Sequence, residues 1–247
     1  MPDLEHLPGL TAAQTARYAP HLALAQLGDD GQRQILASRV LVVGLGGLGS
    51  PVALYLAAAG VGTLGLADTD VVSVSNLQRQ VVHCTADAGR PKVDCAAERL
   101  AALNPGVHLV RHPTGVTGEA TWIADYDVVV DCTDSFEARY LVNDLCTAER
   151  ISWVHAAVDA VAGQVTVFTP DGPCYRCLQP SPVDIPSSPG VLGPLPGIVG
   201  AIQAAETLKL VVGAPTLTGR VLVLDAWTMT FDTIPLTKHP TCPTCST

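Results

Sequence analysis

Four of the eight cysteines fall in two distant pairs, Cys174 with Cys177 and Cys242 with Cys245. Four soft thiolates in two Cys-x-x-Cys knuckles suit a closed tetrahedral Zn²⁺ site, structural because no coordination position is left open. Two disulfides are the alternative pairing, which a reducing compartment disfavours. A second set of residues suits nucleotide chemistry. Gly44, Gly46, Gly47 and Gly49 form a glycine turn of the kind that lets backbone approach phosphates at a helix N-terminus. Asp68 stands 19 residues beyond Gly49, where a carboxylate can hydrogen-bond ribose hydroxyls. Ser75, Asn76, Leu77, Gln78 and Arg79 follow, then Lys92. The two cations Arg79 and Lys92 suit a triphosphate, and a dinucleotide dehydrogenase needs no such pair. Asp134 suits Mg²⁺ on those phosphates; its other reading is a helix N-cap, a role Ser135 can equally fill.

These residues need a scaffold, and the apolar pattern supplies one. Residues 39–44 read as a buried strand, 50–59 as a helix and 63–68 as a second strand. The charge-free stretch 40–67 is long enough for a membrane span, but its glycines punctuate it as strand, turn, helix, turn, strand. A helix is expected over 91–103, opened by Pro91 and stopped at Asn104, Pro105 and Gly106, then a strand over 107–111. Residues 127–131 read as a strand, 136–148 as a helix, 152–157 and 163–169 as strands, 198–212 as a helix, and 221–225 and 229–236 as closing strands. The fold class expected is α/β, a Rossmann-like sheet parallel in its first half and more antiparallel in its second. Within one unit, residues 1–35 read as a helical arm broken at 28–31, 36–170 as a nucleotide-binding half, and 171–247 as a half carrying the zinc site. Residues 178–197, with six prolines, read as a long crossing loop.

Composition removes other classes. With 48% hydrophobic and 15% charged residues, the 247-residue chain is far from disordered and long enough to bury a full core. Its net charge of −9 and lack of any Lys/Arg run argue against nucleic acid as a partner. The N-terminal segment lacks a basic stretch followed by an apolar one, so a cytoplasmic location and no membrane association are expected. The seven histidines show no metal-ligand spacing, and His155 reads as a hydrogen-bonded core residue. Trp122, Trp153 and Trp227 read as packing residues, and Cys132 and Cys146 as buried, inert thiols.

Taken together, the glycine turn, Asp68, residues 75–79, Lys92, Asp131 to Asp134, Gly163-Gln-Val-Thr-Val-Phe and the two cysteine pairs resemble the MoeB/ThiF/HesA family, relatives of ubiquitin-activating enzymes, in character most like its MoeB-type branch. The resemblance runs from about Arg17 to Cys245. It implies an adenylyltransferase: ATP-dependent adenylation of the C-terminal glycine of a small ubiquitin-like sulfur-carrier protein ending in Gly-Gly, with pyrophosphate released. It also implies a homodimer, a sulfurtransferase or persulfide donor as later partner, Gly47 and its neighbours facing the phosphates, Asp68 on the ribose, Asn76, Arg79 and Lys92 around the triphosphate, and Asp134 with its neighbour Ser135 on the Mg²⁺ side.

Two departures qualify it. The ThiF-like branch has a cysteine where this chain has Pro186, so no thiol-linked carrier is expected there. Family members carry Arg-Tyr-x-Arg-Gln near the N-terminus, the second arginine serving the neighbouring subunit's ATP site; here Pro20 takes that position. No fused sulfurtransferase domain is expected after Thr247. Two rival readings use the same residues: a non-catalytic scaffold binding carrier or nucleotide, and a nicotinamide-dependent oxidoreductase resting on the glycine turn and Asp68 alone.

Overall fold

The computed structural model describes residues 4–182 and 190–246. Three helices, α1 (Ala12–Arg17), α2 (Ala19–Leu22) and α3 (Gly28–Ala37), lead into β1 (Arg39–Val43). There follow α4 (Gly49–Ala59), β2 (Thr63–Ala67), α5 (Lys92–Leu103), β3 (His108–His112), β4 (Val128–Asp131), α6 (Phe136–Ala148) and β5 (Ser152–Asp159). Next come β6 (Ala162–Phe168), α7 (Tyr175–Leu178), α8 (Pro194–Val211), β7 (Arg220–Asp225) and β8 (Thr230–Pro235).

The eight strands make one sheet in the order β3-β2-β1-β4-β5-β6-β7-β8. Strands β1 to β5 pair in parallel and β6 to β8 antiparallel, the division expected from the sequence. The β-branched runs explain the parallel centre. Val40, Leu41 and Val42 pair through the β1–β4 register with Val128, Val129 and Val130, and none is more than 1% exposed. Full burial of each such side chain is worth about 1.5–3 kcal/mol, so helices must cover both faces. One layer packs α3, α4, α5 and α8 over Val40, Val42, Leu64 and Leu66; the other seats α6 and α7 over Leu41, Val129 and Trp153. Strand order reverses between β1 and β4, and ligands in open α/β sheets bind beyond the strand ends at such a point.

The N-terminal arm is fastened to that scaffold. Gln32, fully buried, donates to the Ala59 carbonyl, and Asn104 donates both to Tyr18 Oη and to the Ala57 carbonyl. Asn104 therefore stops α5 and also ties the arm to the end of α4.

Three expectations are corrected. Residues 28–31 are no break: Gly28, at φ +57°, opens α3, and Asp29 and Asp30 occupy its first turn, where the helix dipole favours acids. Helix α8 begins at Pro194 and not near 198, because Pro194 stands at the helix start, where a fixed φ and a missing N–H cost nothing. It takes its first turns from the expected crossing loop, whose residues 183–189, Pro186 included, lie outside the described residues. Trp227 does not pack: it is 76% exposed beside Met229 at the β7–β8 turn, whereas Trp153 is buried and Trp122 stacks on His112. Among the described residues no helix is long and apolar enough to cross a membrane.

Candidate active site and metal centre

The strand-order reversal opens into a cleft of about 880 Å³. On one side stands the glycine turn after β1. Gly44 takes φ +91°, and a Cβ there would lie 2.7 Å from the Cys132 carbonyl oxygen. A Cβ on Gly49 would lie 1.8 Å from the Gly44 oxygen. These two glycines are steric necessities of the turn, and Gly44, with Gly46 and Gly47, also lines the cleft. Among the described residues no side chain caps α4, so its N-terminal end is open to a ligand in the cleft.

Asp68 follows β2 and does more than the sequence requires. One carboxylate oxygen accepts the Leu45 N–H at 2.7 Å and the other the Asp70 N–H at 2.8 Å. The carboxylate thus shapes the glycine turn from below. Lys92, only 5% exposed in its side chain, reaches Asp70 at 2.8 Å and Asp68 at 3.8 Å. Burying its ammonium is tolerable only because these carboxylates partner it. A cation on free surface would not be held this way.

The turn carrying Ser75 and Asn76 leads into Arg79 and Gln80, which lie against the glycine turn: a Cβ on Gly47 would stand 3.4 Å from Arg79 Cδ, and one on Gly46 3.5 Å from Gln80 Nε2. Arg79 lines the cleft with its guanidinium on Asn76 Oδ1 at 3.1 Å, a bond that holds the cation over the turn. Ser75, Asn76, Gln78, Arg79, Lys92, Asp68 and Asp134 all line the one cleft. Asp134 is exposed and has no hydrogen-bonding or ionic partner among the described residues. Its N-cap alternative is closed, because Ser135 Oγ accepts the Ala138 N–H and caps α6. Ser135 and Leu77, like Gly49, do not line the cleft: Ser135 is engaged as a cap, and Leu77 ends the short turn of Val74–Asn76. Thr133 and Gln80, which fall within or beside the motifs above but were given no role, line it too, as do Arg139, Asp70 and Asp159, which carried no sequence signal. A cation at the fourth position of α6, facing back along the helix, would have pointed to Arg139.

The cysteine cluster is a separate site. The four sulfurs of Cys174, Cys177, Cys242 and Cys245 lie within 4.8 Å of one another. Cys174 and Cys242 are 3.5 Å apart, and Cys177 and Cys245 3.4 Å. A disulfide needs about 2.05 Å, and tetrahedral zinc with bonds of about 2.3 Å places sulfurs about 3.8 Å apart. The donor set fits zinc, and no two of these sulfurs stand at disulfide distance. Burial opposes ionisation of Cys242, yet backbone N–H groups of Cys245 and Thr244 at its sulfur pull it down to about 7. The His239 N–H donates to the Cys177 sulfur at 3.3 Å, the kind of support a thiolate ligand needs.

His155 is the core residue expected, fully buried, with Nδ1 2.8 Å from an Asp131 carboxylate oxygen. Burial holds it below the usual histidine value against the pull of Asp131, and burial likewise lowers His112 and His83. Burial pushes the Cys132 and Cys146 thiols well up, in keeping with inert cysteines. The depressed histidines set a sign. Below about pH 6.5 the unfolded chain takes up protons that the folded chain refuses, so stability is present above that pH and is lost as pH falls. Urea unfolding between pH 8 and 5 should show this decline, and His155→Gln should flatten it; an unchanged slope would assign the loss to other groups.

Comparison with known proteins bears on the family and the fold. Residues 18–244 match the ThiF family. The chain is 48% identical over 244 residues to the SAMP-activating enzyme E1 of Haloferax volcanii, covering 96% of this chain and 90% of that one. It is 42% identical over 249 residues to the sulfur carrier protein adenylyltransferase of Thermus thermophilus, covering 95% and 92%. The probable adenylyltransferase/sulfurtransferase MoeZ of Mycobacterium tuberculosis, 41% identical, is longer: the match covers 98% of this chain and 65% of that one. A crystal structure of E. coli MccB with MccA-N7isoASN superposes with TM-score 0.83 over 94% of this chain and 75% of its own at 19% identity, which shows a shared fold. With a family match over nearly its whole described length and a relative at 48% identity, the chain belongs to the ThiF family.

Proposed function

We propose that the protein uses ATP to adenylate the C-terminal glycine of a small ubiquitin-like sulfur carrier, releasing pyrophosphate and leaving an acyl-adenylate for sulfur transfer. The observation that carries this is convergence: a glycine turn, a shaped acid, two cations and a free carboxylate from five chain segments line one cleft, in a chain 42–48% identical to a SAMP-activating enzyme and a sulfur carrier adenylyltransferase. In this reading residues 36–170 bind nucleotide, and 171–247 carry the zinc and receive the carrier.

The carrier's carboxylate is already ionised at neutral pH, so no protein base is needed. Its oxygen forms the new bond to the α-phosphorus, the bond to the bridging oxygen breaks, and pyrophosphate departs with the electron pair. The chain must orient these groups and screen charge as it accumulates on the leaving group. Arg79 and Lys92 supply positive charge there, Gly47 and its neighbours offer backbone to the phosphates, and Asp68 reaches the ribose. Asp134, exposed at the cleft and without a partner among the described residues, suits a Mg²⁺ ion, which commonly takes one or two carboxylates plus phosphate oxygens. Bound there, Mg²⁺ supplies neutralising charge on the triphosphate.

A homodimer fits the apolar recess between α2, α4 and α8, where Tyr55 is 57% exposed beside Ala201, Ala205 and Leu208. Pro20 lies on this recess and not in the nucleotide cleft. In this reading the reaction is cytoplasmic, a location that cysteines free of disulfides support, with an external persulfide or sulfurtransferase as sulfur donor. No thiol-linked carrier is formed at position 186.

ATP–pyrophosphate exchange with Mg²⁺, against a panel of ubiquitin-like proteins ending in Gly-Gly, tests the reading. Carrier-dependent exchange should appear and fall about 10²-fold in Arg79→Ala, the loss typical of one transition-state donor. Folded, zinc-loaded protein that exchanges with no carrier, though it binds ATP, would replace this reading with the scaffold one.

A further inference from the structure

The segment between β4 and α6 is held from beneath by groups that the adenylation chemistry does not use. Asp131, fully buried at the end of β4, accepts from His155 Nδ1–H at 2.8 Å through one oxygen. Through the other it accepts the Thr133 N–H at 3.1 Å and the Thr133 hydroxyl at 2.6 Å. Register fixes the first contact, since Asp131 and His155 face each other in the β4–β5 ladder. A carboxylate acceptor at Nδ1 assigns the ring proton to that nitrogen. Arg139, on α6, donates to the Thr133 carbonyl at 3.2 Å. Gln203, from α8, donates to the Asp131 carbonyl at 2.8 Å. Both the N–H side and the carbonyl side of Thr133 are therefore tied, and the next residue is Asp134.

The same segment presses on the glycine turn. Cys132 N–H donates to the Val43 carbonyl at 2.8 Å, and its own carbonyl occupies the space a Gly44 Cβ would need. A shift at Thr133 is thus felt at both walls of the cleft. A buried acid with a neutral partner is a poor means of adding stability, because an apolar pair of similar volume does as well or better. Its placement under a cleft-lining loop gives it another use.

We propose that Asp131 and His155, with Thr133 as the link and Arg139 as the opposing tie, act as positioning residues that hold the Asp134 carboxylate toward the nucleotide phosphates. The inference rests on the reading of Asp134 given above.

The test uses Thr133→Val, which keeps the shape and removes the hydroxyl, and Thr133→Ser, which restores it. Calorimetric ATP binding is measured with and without MgCl₂, alongside carrier-dependent exchange. In the parent, Mg²⁺ should tighten ATP binding; in Thr133→Val that gain should shrink about tenfold, of the order expected when a reacting group is slightly misplaced. Thr133→Ser should recover it to within about twofold. His155→Gln should reproduce the loss, and if it fails to fold the threonine pair decides. A full Mg²⁺ gain in Thr133→Val, no recovery in Thr133→Ser, or no Mg²⁺ gain in the parent each overturns the proposal. A parent that shows the Mg²⁺ gain without exchange with any carrier ends the adenylation reading while the binding series still judges the brace.

Discussion

Replacing Asp134 with alanine should lower carrier-dependent ATP–pyrophosphate exchange by about 10²–10³-fold while leaving the thermal midpoint near that of the parent. The two halves of this expectation have different causes. Asp134 is exposed and bonds to none of the described residues, so the fold loses no contact when the carboxylate goes. The helix start beside it keeps its cap, since Ser135 and not Asp134 accepts the Ala138 N–H. The cleft, in contrast, loses an acid that the proposed chemistry uses to hold Mg²⁺ against the triphosphate. Asp134→Asn separates charge from shape: it retains a ligand oxygen and should fall between the parent and alanine forms, with partial recovery at high Mg²⁺. Exchange kinetics over a Mg²⁺ series measure this directly. Activity in Asp134→Ala within about threefold of the parent would remove Asp134 from the reaction, and a large drop in midpoint would make its role one of folding.

The nucleotide half of the molecule was legible because its signals are local. A β-branched run, a glycine turn and an apolar helix are readable within about thirty residues, and β1, α4 and β2 lie where the pattern puts them. Asp68 was legible for the same reason, by its distance from Gly49. What it bonds to was not, since its hold on the Leu45 N–H depends on how β1 and β2 lie side by side. Arg139 and the Asp131–His155 couple were illegible as parts of a site because they meet only through strand register and the return of α6 over the sheet. The misread residues have local causes as well. Two acids after a glycine look like a loop, yet they suit the first turn of a helix, which is how Gly28 opens α3. Trp227 looks like core by composition, but a residue at the tip of an edge hairpin has nothing above it to pack against.

Removing the metal from the cysteine cluster should lower the thermal midpoint by about 10 °C or more. Beyond β8 the described chain to residue 246 forms no helix or strand, and Cys242 and Cys245 meet Cys174 and Cys177 across 68 residues of sequence. The cysteine cluster therefore anchors that tail to α7. Structural zinc in small peptides contributes about 10–16 kcal/mol; here the sheet folds around its own core, so only part of that sum appears as global stability. A loss of about 3–5 kcal/mol corresponds to roughly 10–15 °C in a domain of this size. The effect need not stay at the tail. Tyr175, one residue after Cys174, packs against Tyr140 and against His155, with ring centres 5.2 and 4.9 Å apart. Loosening α7 would therefore also loosen the support under Asp131. Metal analysis of the purified protein should find about one zinc per chain, and Cys242→Ser should release it and open the tail to limited proteolysis. The sensitivity should be to chelator and not to reductant, because the sulfurs are too far apart to be bonded to one another. A midpoint that falls with dithiothreitol and ignores the chelator would overturn the zinc assignment and return the pairs to disulfides.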